Sequence, residues 1–224
     1  MATVRKIVFR NDEIYHIFNR GVERRPIFTS RREYARAQKL LKFYRHKEIP
    51  IRFSQVQLQP EEIKIKMLES LFKSEKLVLI LAYCLMPNHF HFLVKQISDN
   101  GITKFVANFT NAYTKFFNTK HQRVGPLLQG VFKAEHVETD EQLVHLSRYI
   151  HLNPVASGVI TEGMLDSYEW SSYPEYISLS SNEITEKDIV LSMFKSVEEY
   201  IKFVRDQIGY AKELEKIKHL LVEE

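Results

Sequence analysis

The stretch Leu77-Val78-Leu79-Ile80-Leu81-Ala82-Tyr83-Cys84-Leu85-Met86-Pro87-Asn88-His89-Phe90-His91-Phe92-Leu93-Val94-Lys95-Gln96 reads as two apolar strands, 77–86 and 89–96, folded back on each other at a Pro-Asn turn. Its aromatic and β-branched side chains suit the middle of a sheet, and proline followed by asparagine suits a tight turn. Successive side chains of a strand point to opposite faces, so His89 and His91 project from one face and Phe90 and Phe92 from the other. Two neutral imidazoles placed in this way can share one divalent cation and leave positions open for a third ligand and a substrate. The same spacing also describes ordinary half-buried histidines, and the tripeptide alone does not choose between the two.

Outward from the hairpin, Glu13 to Arg20 alternates Ile14, His16 and Phe18 with Tyr15, Ile17 and Asn19, and Gly21 ends what reads as a first strand. Thr29 or Ser30 can cap a helix running to about Lys47, with Tyr34, Ala37, Leu40, Leu41 and Tyr44 as its apolar stripe and Pro50 beyond its end. Residues 51–60 are expected to hold a short strand, and Ile63 to Phe72 a short helix. After the hairpin, Thr103 to about Lys120 returns to helical spacing, with Phe105, Val106, Phe109, Ala112, Tyr113, Phe116 and Phe117 facing inward. Gly125-Pro126 breaks it, Val131 to Glu138 reads as a strand, and Thr139 caps a helix to about Leu152 that Asn153-Pro154 is expected to close. Strand, helix, paired strands, helix, strand, helix is the pattern of an α+β domain of the ferredoxin-like kind, an antiparallel sheet with helices on one face. That domain is expected over residues 1–160. Residues 161–224 are expected to form a helical extension packed on it, with helical patterns at 185–194, 196–208 and 210–222.

A chain of 224 residues, 44% apolar and 27% charged, is long enough for one domain with a full core and an appended subdomain. The longest apolar run, Leu77 to Pro87, is too short to cross a bilayer, and no apolar signal core follows Arg5, Lys6 and Arg10, so neither a membrane span nor secretion is expected. Cys84 is the single cysteine; it excludes an intrachain disulfide and reads as a buried thiol. The net charge of +4 hides an uneven distribution: residues 1–47 hold 13 Lys and Arg against 4 Asp and Glu, and residues 161–224 hold 7 against 14. A basic front suits a phosphate backbone, because Lys and Arg bind it by displacing condensed counterions, although a solvated basic helix has the same composition. Interleaved Tyr15, His16, Phe18, Tyr34, Phe43 and Tyr44 offer stacking surfaces for unpaired bases or core material.

The helix ending in Ser147-Arg148-Tyr149-Ile150-His151-Leu152-Asn153-Pro154 carries a tyrosine and an asparagine four residues apart, hence on one face. That face can present a phenol and an amide oxygen to the same ion-bound phosphate, or Tyr149 can be a packing residue and Asn153 a helix terminator. Tyr113, among Phe109, Phe116 and Phe117, reads as core, His151 as a solvent-facing helix residue, and His136 as a candidate fourth ligand or proton carrier.

Pro87-Asn88-His89-Phe90-His91, followed about sixty residues later by Tyr149-Ile150-His151-Leu152-Asn153-Pro154-Val155, resembles the single-tyrosine transposases with a His-hydrophobe-His motif, above all the REP-associated tyrosine transposases and their insertion-sequence relatives. Asn19-Arg20-Gly21, the segment Gly125 to Lys133, and Trp170-Ser171-Ser172-Tyr173 support the resemblance, which spans roughly residues 10–180. It implies that His89 and His91 bind a divalent metal, Mg2+ or Mn2+, that Tyr149 attacks DNA, and that Asn153 completes the metal site. Insertion-sequence members often place glutamine at that last position, so Asn153 fits the REP-associated branch better, with a shorter reach. The resemblance also implies that Gln129 and Lys133 contact the DNA backbone near the cut. Arg20, Arg24, Arg25, Arg31 and Arg32 are, as a group, the candidate phosphate contacts.

The implied activity is that of a metal-dependent single-stranded DNA endonuclease and strand transferase acting through a 5′-phosphotyrosine. Its implied partner is a DNA hairpin with a flanking guide sequence, since only extruded bases can be read in this way. The implied assembly is a monomer or homodimer in the cytoplasm. Two rivals stay open: a DNA-binding regulator without turnover, and a metal-dependent hydrolase of a smaller phosphodiester.

Overall fold

The computed structural model describes residues 7–180 and 182–213. The alternating segment before Gly21 forms β1 (Ile14–Arg20), and a single 3-10 turn follows at Val22–Arg24. Gly21 is needed there because a Cβ would collide with the Arg25 carbonyl oxygen. α1 (Arg31–Tyr44), α2 (Phe53–Val56) and α3 (Glu61–Lys73) lead to the hairpin of β2 (Val78–Met86) and β3 (His89–Gln96). α4 (Gly101–Lys120), β4 (Lys133–Val137) and α5 (Asp140–Ala156) come next, and α6 (Tyr173–Tyr176), α7 (Asp188–Leu191) and α8 (Val197–Arg205) follow.

The four strands form one antiparallel sheet in the order β2-β3-β1-β4, the ferredoxin-like arrangement. Both crossover helices, α1 and α4, cover one face, where Tyr15, Ile17, Phe90, Phe92 and Val94 meet Leu40, Leu41, Phe105 and Phe109. Phe109 stands edge-on to Phe90 and Phe92, with ring centroids at 5.5 and 5.2 Å. The expectation of helices on one face holds for this pair. The other face is covered too: Ala82, Cys84, Met86, Leu93 and Val137 pack against Leu143, Ile150, Leu152 and Val155 of α5 and against Tyr173, Tyr176, Tyr200 and Val204 of the extension. These sheet residues are apolar in their own right, so a second layer is required to bury them.

Residues 51–60 do not form the expected strand. Phe53 and Val56, both buried, are three apart and point to the core from one turn of α2, a spacing that a four-residue segment satisfies as helix. α5 also runs through Pro154 instead of stopping at Asn153. The proline forgoes one backbone donor, and the helix closes a turn later: the Ser157 N–H donates to the Asn153 carbonyl (3.0 Å), the Val159 N–H to the Pro154 carbonyl (2.9 Å), and Gly158 takes a positive φ of 70°. Asn153 therefore keeps helical geometry one turn after Tyr149. The strand expected over Val131 to Glu138 is limited to Lys133–Val137, and of the pattern at 185–194 only Asp188–Leu191 is helical. The pattern at 196–208 is realised in α8, Val197–Arg205, and that at 210–222 lies mostly outside the described residues. The exposed edge of β2 is covered by Trp170–Tyr173: the Leu85 N–H donates to the Trp170 carbonyl (2.8 Å) and the Ser172 N–H to the Tyr83 carbonyl (2.9 Å).

Glu33 ties α1 to α4. It is fully buried, and its carboxylate accepts from the Thr29 N–H (2.5 Å) and hydroxyl (2.9 Å), from Lys120 Nζ (2.6 Å), and faces His121 Nε2 (2.7 Å). Burial alone would raise its pKa, but these donors outweigh burial and hold it at about 2. The folded value lies below the ordinary 4.5, so this stabilisation is complete above 4.5 and is lost as pH falls toward 2. Glu33→Gln is expected to lower unfolding free energy at pH 7 by about 3 kcal/mol. In urea titrations the gap between variant and wild type should narrow below pH 4.5; a constant gap would contradict the assignment.

Candidate active site

The second sheet face carries the chemistry. Strand alternation and the β1–β3 register, which places Phe18 opposite His91 and Arg20 opposite His89, put His16, Phe18, Arg20, His89 and His91 on that face. α5 lies across it and lowers Tyr149 and Asn153 onto the histidines. The Tyr149 ring stands edge-on to His91 (centroids 5.6 Å apart) and to His16 (6.2 Å). His89 Nε2 is 3.4 Å from Asn153 Oδ1, and its Nδ1 is 2.6 Å from Asn88 Oδ1. The structure thus brings together His89, His91, Tyr149 and Asn153, which lie 64 residues apart in the chain at the His89–Asn153 contact.

Of eleven tyrosines, only Tyr149 and Tyr210 are exposed, at 37% and 60%. Tyr149 is the exposed one that touches the histidines. Tyr113 is core, as expected, with its hydroxyl donating to the Ile27 carbonyl (2.5 Å). Burial raises the pKa values of Tyr113, Tyr168 and Tyr200, and that of Tyr34 to about 12, which removes them as nucleophiles.

Arg20, Arg24, Gln129 and Lys133 line, with Asn88, His89 and His91, a cleft of about 560 Å³ at this end of the sheet. Arg20 Nε donates to Gln129 Oε1 (2.6 Å), and the Gln129 N–H to the Arg20 carbonyl (2.9 Å), which ties the segment before β4 to the end of β1. Arg25, Arg31 and Arg32 do not line the cleft: Arg25 pairs with Glu23 (2.9 Å), Arg31 with Glu169 (2.7 Å), and Arg32 is exposed on α1.

Two histidines differ from expectation. His136 alternates with Glu135 on β4, so it faces the opposite side of the sheet, 2.8 Å from Glu13, and Glu135 faces the site. His151 is fully buried, because the extension covers the outer face of α5; its Nδ1 meets the Tyr200 hydroxyl and its Nε2 the Ser172 hydroxyl, both at 2.7 Å. Burial holds its pKa at about 3, so it is neutral in the fold. The unfolded chain therefore binds a proton near pH 6.5 that the folded chain refuses, and this group costs stability as pH falls below 6.5, at about 1.4 kcal/mol per unit. His151→Gln is expected to flatten the decline in melting temperature between pH 6.5 and 5; an unchanged slope would contradict it.

Residues 51–153 match the family model described as transposase, IS200 like, a stretch that contains the hairpin, both histidines of the motif, Tyr149 and Asn153. The match spans less than half of the chain, and over that stretch the chain resembles the IS200-like transposases. A solved REP-associated tyrosine transposase bound to a REP hairpin has the same fold, with a TM-score of 0.53 and 13% identity, over 82% of this chain and 90% of that one. No curated protein sequence matches the chain significantly.

Among the described residues, no group of three or more His, Cys, Asp or Glu side chains gathers to hold a metal ion. Two imidazoles and an amide oxygen are nevertheless a donor set that a divalent cation accepts, and the 3.4 Å approach of His89 to Asn153 sets two of the donors side by side. The residues fit a cation. With no carboxylate in that donor set, the cation would keep its charge for an anionic substrate.

His16, in sequence one of the aromatic side chains for stacking or core, belongs to this site. His16 is 4% exposed, stacks at 5.1 Å on His91, and has its Nε2 2.9 Å from His91 Nδ1. Burial lowers its pKa, against an opposing pull from Glu135, whose Oε2 is 3.6 Å from His16 Nδ1. The signal that could have found it was its parity with Phe18 and Arg20 on β1, but the pairing with β3 is not encoded locally.

Proposed function

We propose that the protein is an IS200-like transposase that cleaves and rejoins single-stranded DNA through a phosphotyrosine at Tyr149, with His89, His91 and Asn153 holding a divalent cation, Mg2+ or Mn2+. The observation that carries this reading is the exposed Tyr149 ring packed against His91 beside the His89–Asn153 contact. When bound, the cation supplies Lewis-acid polarisation of the scissile phosphate and aligns it for in-line attack.

Tyr149 Oη attacks phosphorus, the P–O3′ bond breaks, and the leaving 3′ oxygen takes a proton from water. The phenolic proton goes to solvent, which reaches Tyr149 at 37% exposure. The product is a 5′-phosphotyrosine and a free 3′-hydroxyl, and attack by a 3′-hydroxyl restores the phosphodiester without an external energy source. Arg20, Arg24, Gln129 and Lys133 hold the backbone along the cleft, and Arg25, Arg31 and Arg32 add a more distant basic surface.

The hairpin in the related solved structure favours a hairpin substrate here. Residues 1–160 act as the catalytic domain, and 161–224 as an extension that braces α5 through His151, Tyr200 and Ser172. A cleavage assay with Mn2+ tests the reading, using an end-labelled hairpin with single-stranded flanks beside the same sequence as duplex. Cuts confined to the single-stranded flank are expected; binding without cuts on any hairpin selected for tight binding would favour the regulatory reading.

A further inference from the structure

His16 lies outside the 51–153 stretch that matches the family model, yet its imidazole is joined to that of His91. We propose that His16, steered by Glu135, is a positioning residue that fixes His91 in the tautomer carrying its proton on Nδ1, so that Nε2 is the atom turned toward a metal ion. The inference rests on the reading of His89 and His91 as metal ligands.

A neutral imidazole has one N–H and one lone pair, so across the 2.9 Å contact between His16 Nε2 and His91 Nδ1 one ring donates and the other accepts. If His16 donated, its Nδ1 would carry a lone pair facing the Glu135 carboxylate at 3.6 Å, acceptor against acceptor. His91 would then hold its proton on Nε2, where a ligand needs a lone pair. In the reverse arrangement every group is matched: His91 Nδ1–H donates to His16 Nε2, and the His16 proton sits on Nδ1, pointing to Glu135. Among the described residues the buried His16 Nδ1 has no hydrogen-bond partner at ordinary length, so the attraction of the carboxylate for an N–H there decides the tautomer.

The fold fixes this chain of groups sterically as well. His16 pairs with Leu93 and Phe18 with His91, which makes His16 the diagonal neighbour of His91. The Phe18 ring stacks near both imidazoles, at 4.9 Å from His16 and 5.8 Å from His91, and Glu135 is opposite His16 on β4. A metal-ligating histidine whose second nitrogen donates to a fixed acceptor is held in orientation and made a stronger base, and loss of such a partner costs about 10–100-fold in metal affinity.

The test uses the full chain without DNA: Mn2+ affinity by calorimetry for wild type, His16→Ala, His16→Gln and His91→Ala, with a long-range 1H–15N spectrum of the metal-free wild-type imidazoles. His91 should show the Nδ1–H tautomer. His16→Ala should weaken Mn2+ binding about 10–100-fold, and His16→Gln, whose amide oxygen accepts a hydrogen bond, should recover most of it, with hairpin DNA affinity unchanged in both. An Nε2–H tautomer at His91, an unaltered affinity in His16→Ala, or equal losses in Ala and Gln would overturn the proposal, the last by making the imidazole itself a ligand or a filler. If wild type binds no Mn2+, the metal-site reading falls and this inference with it; if His91→Ala loses binding and His16→Ala does not, this inference alone falls. Should His16→Ala fail to fold, the wild-type tautomer decides.

Discussion

His91→Ala is expected to lower strand cleavage by at least about 10³-fold, and removal of divalent cations with a chelator to do the same to wild type, because Lewis-acid stabilisation of a phosphoryl transition state supplies several kcal/mol at about 1.4 kcal/mol per tenfold. His91 is 6% exposed and bound to His16, so its loss also unseats a buried imidazole. Hairpin binding separates the two effects. The groups assigned to the DNA backbone, Arg20, Arg24, Gln129 and Lys133, line the cleft, and Arg20 is held by Gln129, so affinity measured by gel shift should fall little. A parallel loss of binding and cleavage would place His91 in the scaffold rather than in the chemistry.

Tyr149→Phe is expected to abolish strand cleavage and every covalent protein–DNA species, by at least about 10³-fold, since removing the nucleophile removes the route rather than slowing it. The change deletes one oxygen from a side chain that is 37% exposed, and the ring that packs on His91 and His16 stays. The variant should therefore fold and still bind Mn2+. Water-mediated hydrolysis by the same cation would leave Tyr149→Phe active, which separates a transesterase from a hydrolase of smaller phosphodiesters.

The parts legible in the sequence were those set by local period. The hairpin showed itself because two apolar runs flank Pro87-Asn88, and the shared face of His89 and His91 follows from strand alternation alone. The Tyr149 and Asn153 pairing follows from helical spacing, and it holds although Pro154 does not end the helix, which continues to Ala156.

What was not legible depended on contacts between distant segments. A lone histidine in an alternating strand is indistinct, and His16 acquires meaning only when β1 pairs with β3, 75 residues on. The phase of β4 was similarly hidden: His136 and Glu135 are adjacent, and only the register with β1 decides that the glutamate faces the site. His151 reads as exposed on a helix with one buried face, but α5 is covered on its outer side by the extension, whose Tyr200 and Ser172 satisfy both ring nitrogens. At Phe53 and Val56 a four-residue segment carries too few positions to separate a period of two from one of 3.6.

The most direct test of the account is the polarity of the covalent adduct. Hairpin DNA with single-stranded flanks, labelled at either its 5′ or its 3′ end, is incubated with the protein and Mn2+, denatured, and the labelled species are separated before and after proteolysis. A 5′-phosphotyrosine at Tyr149 predicts that the 3′ label moves with the protein, that proteolysis leaves it on a nucleotide-bearing peptide containing Tyr149, and that the 5′-labelled fragment is free and can be extended from its 3′-hydroxyl. Cleavage with no labelled protein, or an adduct that persists in Tyr149→Phe, would contradict it.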